Sequence, residues 1–322
     1  MKKSSSINAS TRQQQVLAMS IISMLLSACG GGGGGGGTVP TTPTTPPPPS
    51  FTSWSAVKAN STVVVPGMSQ EVTWTGVPTT GPVTGIGTPT AVDTAASSFT
   101  ETLNSSGAIT KVVITSPTGS VTFDTAAGAT IGSLAIDPTI NAAVNSAGTS
   151  IALAADPLDQ GWDYQSFGVW ETGRGTGSGS AGVMSVGAPT TGAAIPTFGT
   201  ATFTGKMGGI YVDAAGNDFV AASALTVNAD FAARTLGVSS TGTVKSPDLS
   251  TTSPASNLNL TGTLTYAAGT NSFAGTVSNG GTLTGTSSGR FYGPSAQELG
   301  GIFFLKAGSG VETYAGAYGA KR

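Results

Sequence analysis

The sequence predicts an all-β protein, in which a small β-rich domain over residues 51–158 is followed by an eight-stranded up-and-down antiparallel β-barrel over residues 159–322. Short β-branched and aromatic runs recur between clusters of Gly, Pro, Asn and Asp, a pattern typical of strands joined by tight turns. Glycine is abundant, with 48 residues, and only 9% of the chain is charged, against roughly 25% in ordinary soluble domains. No long stretch has the apolar period of an amphipathic helix.

The first residues have the pattern of a lipoprotein signal peptide, predicted over residues 1–28. A charged lead with Lys2 and Lys3 precedes an apolar core, Val16–Leu26, which is too short to span a bilayer comfortably. An aliphatic residue, two small residues and a cysteine follow as Leu26-Ser27-Ala28-Cys29. The alternative is a simple secretory signal that a cysteine follows by chance.

Cys29 is the predicted lipidation site, because its thiolate is the nucleophile that takes the lipid. A second acyl chain, such as palmitate, on the new N-terminus would make the anchor stable. The chain has one cysteine, so an internal disulfide is excluded. Gly30 stands where enteric bacteria use Asp to retain lipoproteins in the inner membrane, which favours the outer membrane. Residues 29–50, a glycine run and then a Thr/Pro-rich segment, are predicted to be a disordered tether.

Residues 51–158 are predicted to contain short strands whose order the sequence leaves open. The runs are β-branched or alternating and end at Gly or Pro, and Pro117-Thr118-Gly119 looks like a hairpin connection. The predicted strands are 62–65, 71–75, 108–115, 120–123 and 129–136.

Large rings lie along the next run, Gly161–Trp170, at Trp162, Tyr164, Phe167 and Trp170. We interpret them as core packing rather than a binding platform, since aromatic side chains supply much of the buried area of a small core. The run is predicted to be the opening strand of the barrel.

A Gly/Ser run follows at 173–182 and contains Gly177–Gly182, a formal match to the dinucleotide-binding fingerprint. That fingerprint requires a helix after the glycines to receive the pyrophosphate, and Val183–Pro196 has no helical period. The run is therefore interpreted as a mobile extracellular loop. Asp213–Asp218 could suggest calcium, but its spacing is not that of the known loop, and a polar hairpin turn is predicted.

Residues 219–231 alternate small apolar and polar side chains, as in the wall of a barrel with a filled interior. The turn Ser278–Gly281 between strand-like runs at 271–277 and 282–292 is a strong hairpin signal. Further strand-like segments, which bring the barrel to about eight or nine strands, are 199–206, 208–212, 233–243, 258–266, 301–306 and 313–318.

The stretch Gly289–Phe304 joins two aromatic runs through a corner. Gly293 allows the chain to turn without a Cβ penalty, and Pro294 suits a first helical position. Gly300 and Gly301 would end that turn. We therefore predict a strand, one helical turn and a second strand.

This stretch resembles the signature of the β-barrel domain of transferrin-binding protein B and its relatives, which are surface lipoproteins of Gram-negative bacteria. The signature has an aromatic-Gly-Pro corner, an Ala, a Glu, then Gly-Gly and an aromatic strand, and the family's opening strand has a similar Tyr-x-x-aromatic-Gly-x-Trp pattern. The residues that carry the resemblance, all interpreted as structural, are Trp162, Tyr164, Gly168, Trp170, Phe291, Tyr292, Gly293, Pro294, Ala296, Glu298, Gly300 and Gly301.

The resemblance implies a single lobe, with residues 51–158 as its handle domain and 159–322 as its barrel. It implies an outer-membrane lipoprotein, anchored through lipid on Cys29 and displayed at the cell surface. Such a protein would act in iron acquisition as a binding protein for a host protein, an iron carrier or a small solute such as haem. An outer-membrane translocator or receptor is implied as a further partner.

Ligand binding is expected on loops that a rigid scaffold presents, here Gly173–Pro196, Asp213–Asp218 and Lys245–Ser256. The sequence does not assign the residues that contact the ligand. The alternative function is a structural or adhesive surface lipoprotein that binds no small ligand.

The composition excludes several chemistries. The chain has no histidine, so Ser-His-Asp triads, histidine-containing zinc sites and histidine-ligated haem are excluded. With 13 basic and 15 acidic residues and no basic patch, nucleic acid is not an expected partner. Glu71, Glu101, Asp163 and Glu171 could pair for glycoside hydrolysis, but no spacing recommends a pair, and isolated surface charges are expected. No enzymatic activity, cofactor or metal is therefore predicted.

Overall fold

A computed structural model describes residues 51–322 except Thr80, Ala135 and Ile136. The predicted signal peptide, Cys29 and tether lie outside the described residues. Within them, no helix has the length and apolar character of a membrane span.

The described residues form nineteen strands and three short 3₁₀ turns, which confirms the all-β class. The strands of the first sheet are β1 (Thr62–Gly76), β2 (Val83–Ile86), β3 (Ser98–Leu103), β4 (Ile109–Ser116), β5 (Gly119–Asp124), β6 (Thr130–Ser133), β7 (Ile140–Val144), β8 (Ser150–Ala155), β9 (Gln165–Thr172) and β10 (Ser178–Gly187). The strands of the second sheet are β11 (Thr200–Val212), β12 (Asp218–Asp230), β13 (Thr235–Ser246), β14 (Ser253–Pro254), β15 (Thr261–Tyr266), β16 (Ser272–Ser278), β17 (Thr284–Tyr292), β18 (Glu298–Lys306) and β19 (Thr313–Lys321). The 3₁₀ turns are Thr125–Ala127, Gly192–Ala194 and Ser256–Leu258.

The first sheet is antiparallel and nearly closed, with the order β5-β4-β3-β1-β10-β9-β8-β7-β6 and with β2 paired to β1. Its long strand β1 joins two strands that the sequence predicts to be separate. At Pro66 and Gly67 the partner of β1 changes from β3 to β10, since Pro66 lies opposite Ser98 and Gly67 opposite Val186. The Pro-Gly pair therefore marks a change of partner rather than the end of a strand.

The second sheet closes into the predicted eight-stranded barrel. Strands β11, β12, β13, β15, β16, β17, β18 and β19 pair in chain order, and β19 returns to pair with β11. The two-residue β14 pairs only with β13 among the described strands. The Asn279 carboxamide oxygen accepts from the backbone N–H groups of Gly281 at 2.9 Å and Leu283 at 3.1 Å, which fixes the predicted β16–β17 hairpin turn.

The aromatic run at 161–170 does not open this barrel, and that prediction is wrong. Its strand, β9, pairs with β8 and β10 in the first sheet. The Gly/Ser run after it is not a mobile loop either, because Ser178–Gly187 is strand β10, paired on one side with β9 and on the other with β1. The first sheet therefore extends to residue 187, beyond the predicted limit of 158, and the barrel strands begin at Thr200.

Buried apolar side chains form three clusters. One fills the barrel and centres on Phe291, whose ring lies within 5.3–6.4 Å of the rings of Phe273, Tyr266, Phe231 and Phe203. A second fills the inside of the first sheet and includes Trp170, and the third lies in the seam between the two sheets and includes Trp162. The seam cluster packs the outer face of the first sheet against the outer wall of the barrel.

Candidate functional site

The signature corner between β17 and β18 is a structural joint. Gly293 has φ +86° and Ala296 has φ +59°, so the chain forms a tight turn there and not the predicted helical turn, because a right-handed helix cannot hold a left-handed residue. The Gln297 side chain accepts from the Ser295 N–H at 2.8 Å and closes the turn locally. Gly300 and Gly301 lie inside β18 and do not end the turn.

Glu298 holds the joint to the first sheet. Its Oε1 accepts from the Asp163 N–H at 2.7 Å, and its Oε2 accepts from the N–H groups of Tyr164 at 2.9 Å and Gln165 at 3.0 Å. Only 1% of Glu298 is exposed. Burial raises the pKa of this carboxyl, while the three N–H donors and Lys321 oppose that shift. The glutamate of the signature thus satisfies the backbone that leads into β9.

The glycines of the signature make room for buried polar side chains. A Cβ on Gly300 would lie 2.7 Å from the Ser185 Oγ, and one on Gly301 would lie 2.5 Å from the Tyr318 hydroxyl. The Tyr292 hydroxyl lies 3.0 Å from the same Ser185 Oγ. These contacts join the end of β10 to the barrel strands β17 and β18. They give the residues of the signature a structural role.

The other signature residues pack in the interior. Trp162 and Trp170 are each 2% exposed and Phe291 is fully buried, which fits core packing rather than a binding platform. A Cβ on Gly168 would lie 2.8 Å from the Leu153 carbonyl oxygen of β8. The signature therefore positions the two sheets, and the ligand site must be sought elsewhere.

A polar cleft of about 440 Å³ lies where turns from both sheets meet. Main-chain hydrogen bonds join the turns: the Thr79 N–H donates to the Gly175 carbonyl at 2.9 Å, and the Val83 N–H donates to the Gly216 carbonyl at 2.8 Å. The residues that line the cleft are Trp74, Val77, Thr79, Gly81, Val83, Gly148, Glu171, Arg174, Gly175, Gly177 and Asp218. We call it the turn cleft.

The turn cleft combines charge with exposed apolar surface. Arg174 pairs with Glu171 at 2.8 Å, and burial raises the pKa of Glu171, with Arg174 opposing the shift and Asp218 adding to it. Val77 is 51% exposed at the rim. The indole nitrogen of Trp74 is buried without a hydrogen-bond partner among the described residues.

Two of the three predicted ligand loops contribute to this cleft. The β9–β10 turn supplies Arg174, and the Asp213–Asp218 segment, a polar hairpin turn as predicted, supplies Asp218 at the start of β12. The third loop, 245–256, lies beside a different cavity that includes Lys245 and Ser246. Sequence reasoning did not select Val77, Thr79 and Gly81, which lie between β1 and β2, as part of a site, because the turns they meet, at Gly175 and Gly216, come from distant parts of the chain.

Three of the four carboxylates considered for glycoside hydrolysis, Glu71, Glu101 and Glu171, are buried and are not the isolated surface charges that the sequence predicts. In the register of β9, β10 and β1, Glu71 lies on the sheet face of Trp170 and Gly182, whereas Glu171 points to the other face. Asp163 accepts from the Ser55 N–H at 2.8 Å, and Glu101 lines a cavity inside the first sheet. The turn cleft does bring together a pair that the sequence did not single out, Glu171 with Asp218, and Arg174 neutralises its buried member.

The comparisons with known proteins agree with the barrel. Residues 195–322 match the family model described as the C-lobe and N-lobe beta barrels of Tf-binding protein B. This match confirms, for that part of the chain, the resemblance inferred from the corner motif. No curated protein matches the chain.

Solved structures of transferrin-binding protein B are similar to this chain. A variant from Haemophilus parasuis Hp5 is 18% identical with a TM-score of 0.45, over 78% of this chain and 51% of that one. The isotype 1 protein from serogroup B Neisseria meningitidis is 20% identical with a TM-score of 0.41, over 75% of this chain and 49% of that one. A structure titled as a surface lipoprotein is 14% identical with a TM-score of 0.42, over 79% of this chain and 98% of that one. The chain thus spans about half the length of the two transferrin-binding proteins.

Proposed function

We propose that this protein is a non-catalytic binding lipoprotein, anchored in the outer membrane through Cys29 and displayed at the cell surface. Its ligand class is a host protein, an iron carrier or a small solute such as haem. The observation that carries the proposal is the match of residues 195–322 to the barrels of a transferrin-binding protein. The lipoprotein pattern that ends at Cys29 supports the anchor.

The turn cleft is the proposed capture surface. Its turns are tied together by main-chain hydrogen bonds, so little conformational entropy is lost when a partner binds. Exposed Val77 beside Arg174 and Asp218 offers an apolar anchor with charges around it, an arrangement that suits a protein surface. The chain has no histidine, so side chains of other types would have to coordinate the iron of haem. A protein partner is therefore the first to test.

Capture through the turn cleft predicts that Val77→Glu lowers affinity for the partner at least tenfold, because the change puts a carboxylate where the partner would bury an apolar side chain. The measurement is binding of serum transferrin, haemoglobin and haem in turn to immobilised protein. Val64→Glu is the matched control, since Val64 is 48% exposed against 51% for Val77 and does not line the cleft. Equal affinities for both variants would reject the turn cleft, and no binding to any of the three probes would favour the structural or adhesive alternative.

The anchor is tested separately. In intact producing cells the protein is expected to be removed by external protease, and Cys29→Ser is expected to abolish palmitate incorporation and release the protein from the membrane fraction. Lysed cells give the control for total protein. Protection of the protein in intact cells would contradict surface display, and palmitate retained by Cys29→Ser would contradict the lipidation site.

A further inference from the structure

A second cavity lies in the seam between the two sheets, apart from the turn cleft. Its volume is about 150 Å³. One wall comes from the first sheet, with Ile140, Leu153 and Phe167, and the facing wall comes from the barrel, with Val220, Ala222 and Val244. We call it the seam cavity.

The seam cavity exists partly because Gly208 has no side chain. A Cβ on the neighbouring β11 glycines would collide with backbone, since it would lie 2.0 Å from the Gly319 carbonyl oxygen at Gly205 and 2.3 Å from the Ala315 carbonyl oxygen at Gly209. At Gly208 the nearest atoms would be 3.6 Å away, an ordinary contact. Close strand packing therefore does not require glycine at this position, and the space beside it is left unfilled.

The charges at the rim of the seam cavity are already engaged. Lys206 Nζ reaches across the seam to Asp137 Oδ2 at 2.8 Å and to Thr139 Oγ1 at 2.7 Å. Lys245 Nζ lies 3.9 Å from the centre of the Phe219 ring. Among the described residues, the buried side-chain polar atoms without a partner all belong to residues outside the cavity lining. A ligand inside would therefore meet mostly apolar walls, with the Lys245 ammonium held over the Phe219 ring.

We propose that the seam cavity binds a small, uncharged, apolar molecule about the size of one aromatic ring. An apolar cavity of about 150 Å³ accepts benzene in another protein. The seam cavity has the same volume, and most of its lining is apolar, with Asp137, Lys206, Lys245, Ser246 and Thr252 as the polar members. It is too small for a tetrapyrrole, so the proposed haem or host-protein ligand would bind elsewhere. A ligand here touches both sheets and stabilises the folded protein by mass action.

The test uses toluene as the probe and the purified protein, with melting temperature and calorimetric titration as the readouts. Toluene is expected to bind saturably and to raise the melting temperature. Gly208→Leu, which fills the cavity, is expected to weaken toluene binding at least tenfold, and Gly208→Ala is expected to weaken it less. Gly237→Leu is the control, because Gly237 is an exposed strand glycine whose Cβ would have its nearest neighbour at 3.9 Å.

Two results would overturn the proposal. One is that the wild-type protein shows no saturable toluene binding. The other is that a folded Gly208→Leu variant binds toluene as tightly as wild type. If Gly208→Leu fails to fold, Gly208→Ala decides, because its single methyl group makes ordinary contacts and unchanged affinity in it would also contradict the site.

Discussion

Replacing Glu298 by alanine is expected to lower the free energy of unfolding by about 3–5 kcal/mol. The change removes the acceptor of three backbone N–H groups, at Asp163, Tyr164 and Gln165. Each buried donor left without a partner costs about 1–3 kcal/mol, and water that enters the vacated space reduces this cost. Urea unfolding of the purified protein measures the effect. The loss should appear as a lower midpoint, with the seam between the sheets opening first.

Glu298→Gln should cost less than the alanine change, because one amide oxygen can still accept from two of the three donors. Glu312→Ala is the matched control: the side chain of this glutamate accepts from the hydroxyl groups of Tyr211 and Thr282 rather than from backbone N–H groups, so we expect a loss of about 1 kcal/mol. Equal losses in Glu298→Ala and Glu312→Ala would show that the backbone donors are not what Glu298 stabilises.

The pH dependence gives a second readout for Glu298. Burial raises the pKa of its carboxyl above the ordinary value of 4.5, so the folded protein binds this proton more tightly than the unfolded chain does. The stabilisation from this group is complete below pH 4.5 and is lost as the pH rises through the folded pKa. The advantage of wild type over Glu298→Gln should therefore shrink as the pH rises, and an advantage that grows would mean that the N–H donors outweigh burial.

The barrel could be predicted from the sequence because the patterns that specify it lie within single strands or in turns between consecutive strands. Residues 219–231 alternate along one strand, and the Asn279 turn lies between strands that are neighbours in the chain. The assignment of β9 and β10 could not be predicted in this way. Either sheet would accept a strand with the pattern of β9, and the choice depends on the pairing of β10 with β1, whose Gly67 and Val186 lie far apart in sequence.

The candidate site likewise has parts that the sequence predicts and a part that it does not. Turn chemistry marked the Asp213–Asp218 hairpin and the glycines after Glu171 as loops, and both line the turn cleft. The third side of the cleft, at Val77, precedes Pro78, Gly81 and Pro82, a pattern that predicts a loop but not which other turns it meets. It is placed by hydrogen bonds to the other two turns, and such convergence is a property of the tertiary fold alone.

Trp170→Ala is expected to cost about 3–5 kcal/mol of unfolding free energy, the usual range for removing a large buried ring. Trp170 is 2% exposed and belongs to the core inside the first sheet. It lies directly opposite Gly182 in the β9–β10 register, and a Cβ on Gly182 would lie 2.1 Å from the Trp170 ring. Gly182 is therefore the residue that makes room for this ring.

This packing predicts that the two positions are coupled. Gly182→Ala alone should lower the free energy of unfolding by about 1–3 kcal/mol through overpacking, whereas in the Trp170→Ala background the same change should be neutral or stabilising, because the added methyl group enters vacated space. Gly132→Ala is the control, since a Cβ at this strand glycine meets no atom within 4 Å. A double-mutant cycle on urea unfolding measures the coupling. Additive losses would show that Gly182 is required by the backbone of β10 and not by contact with the Trp170 ring.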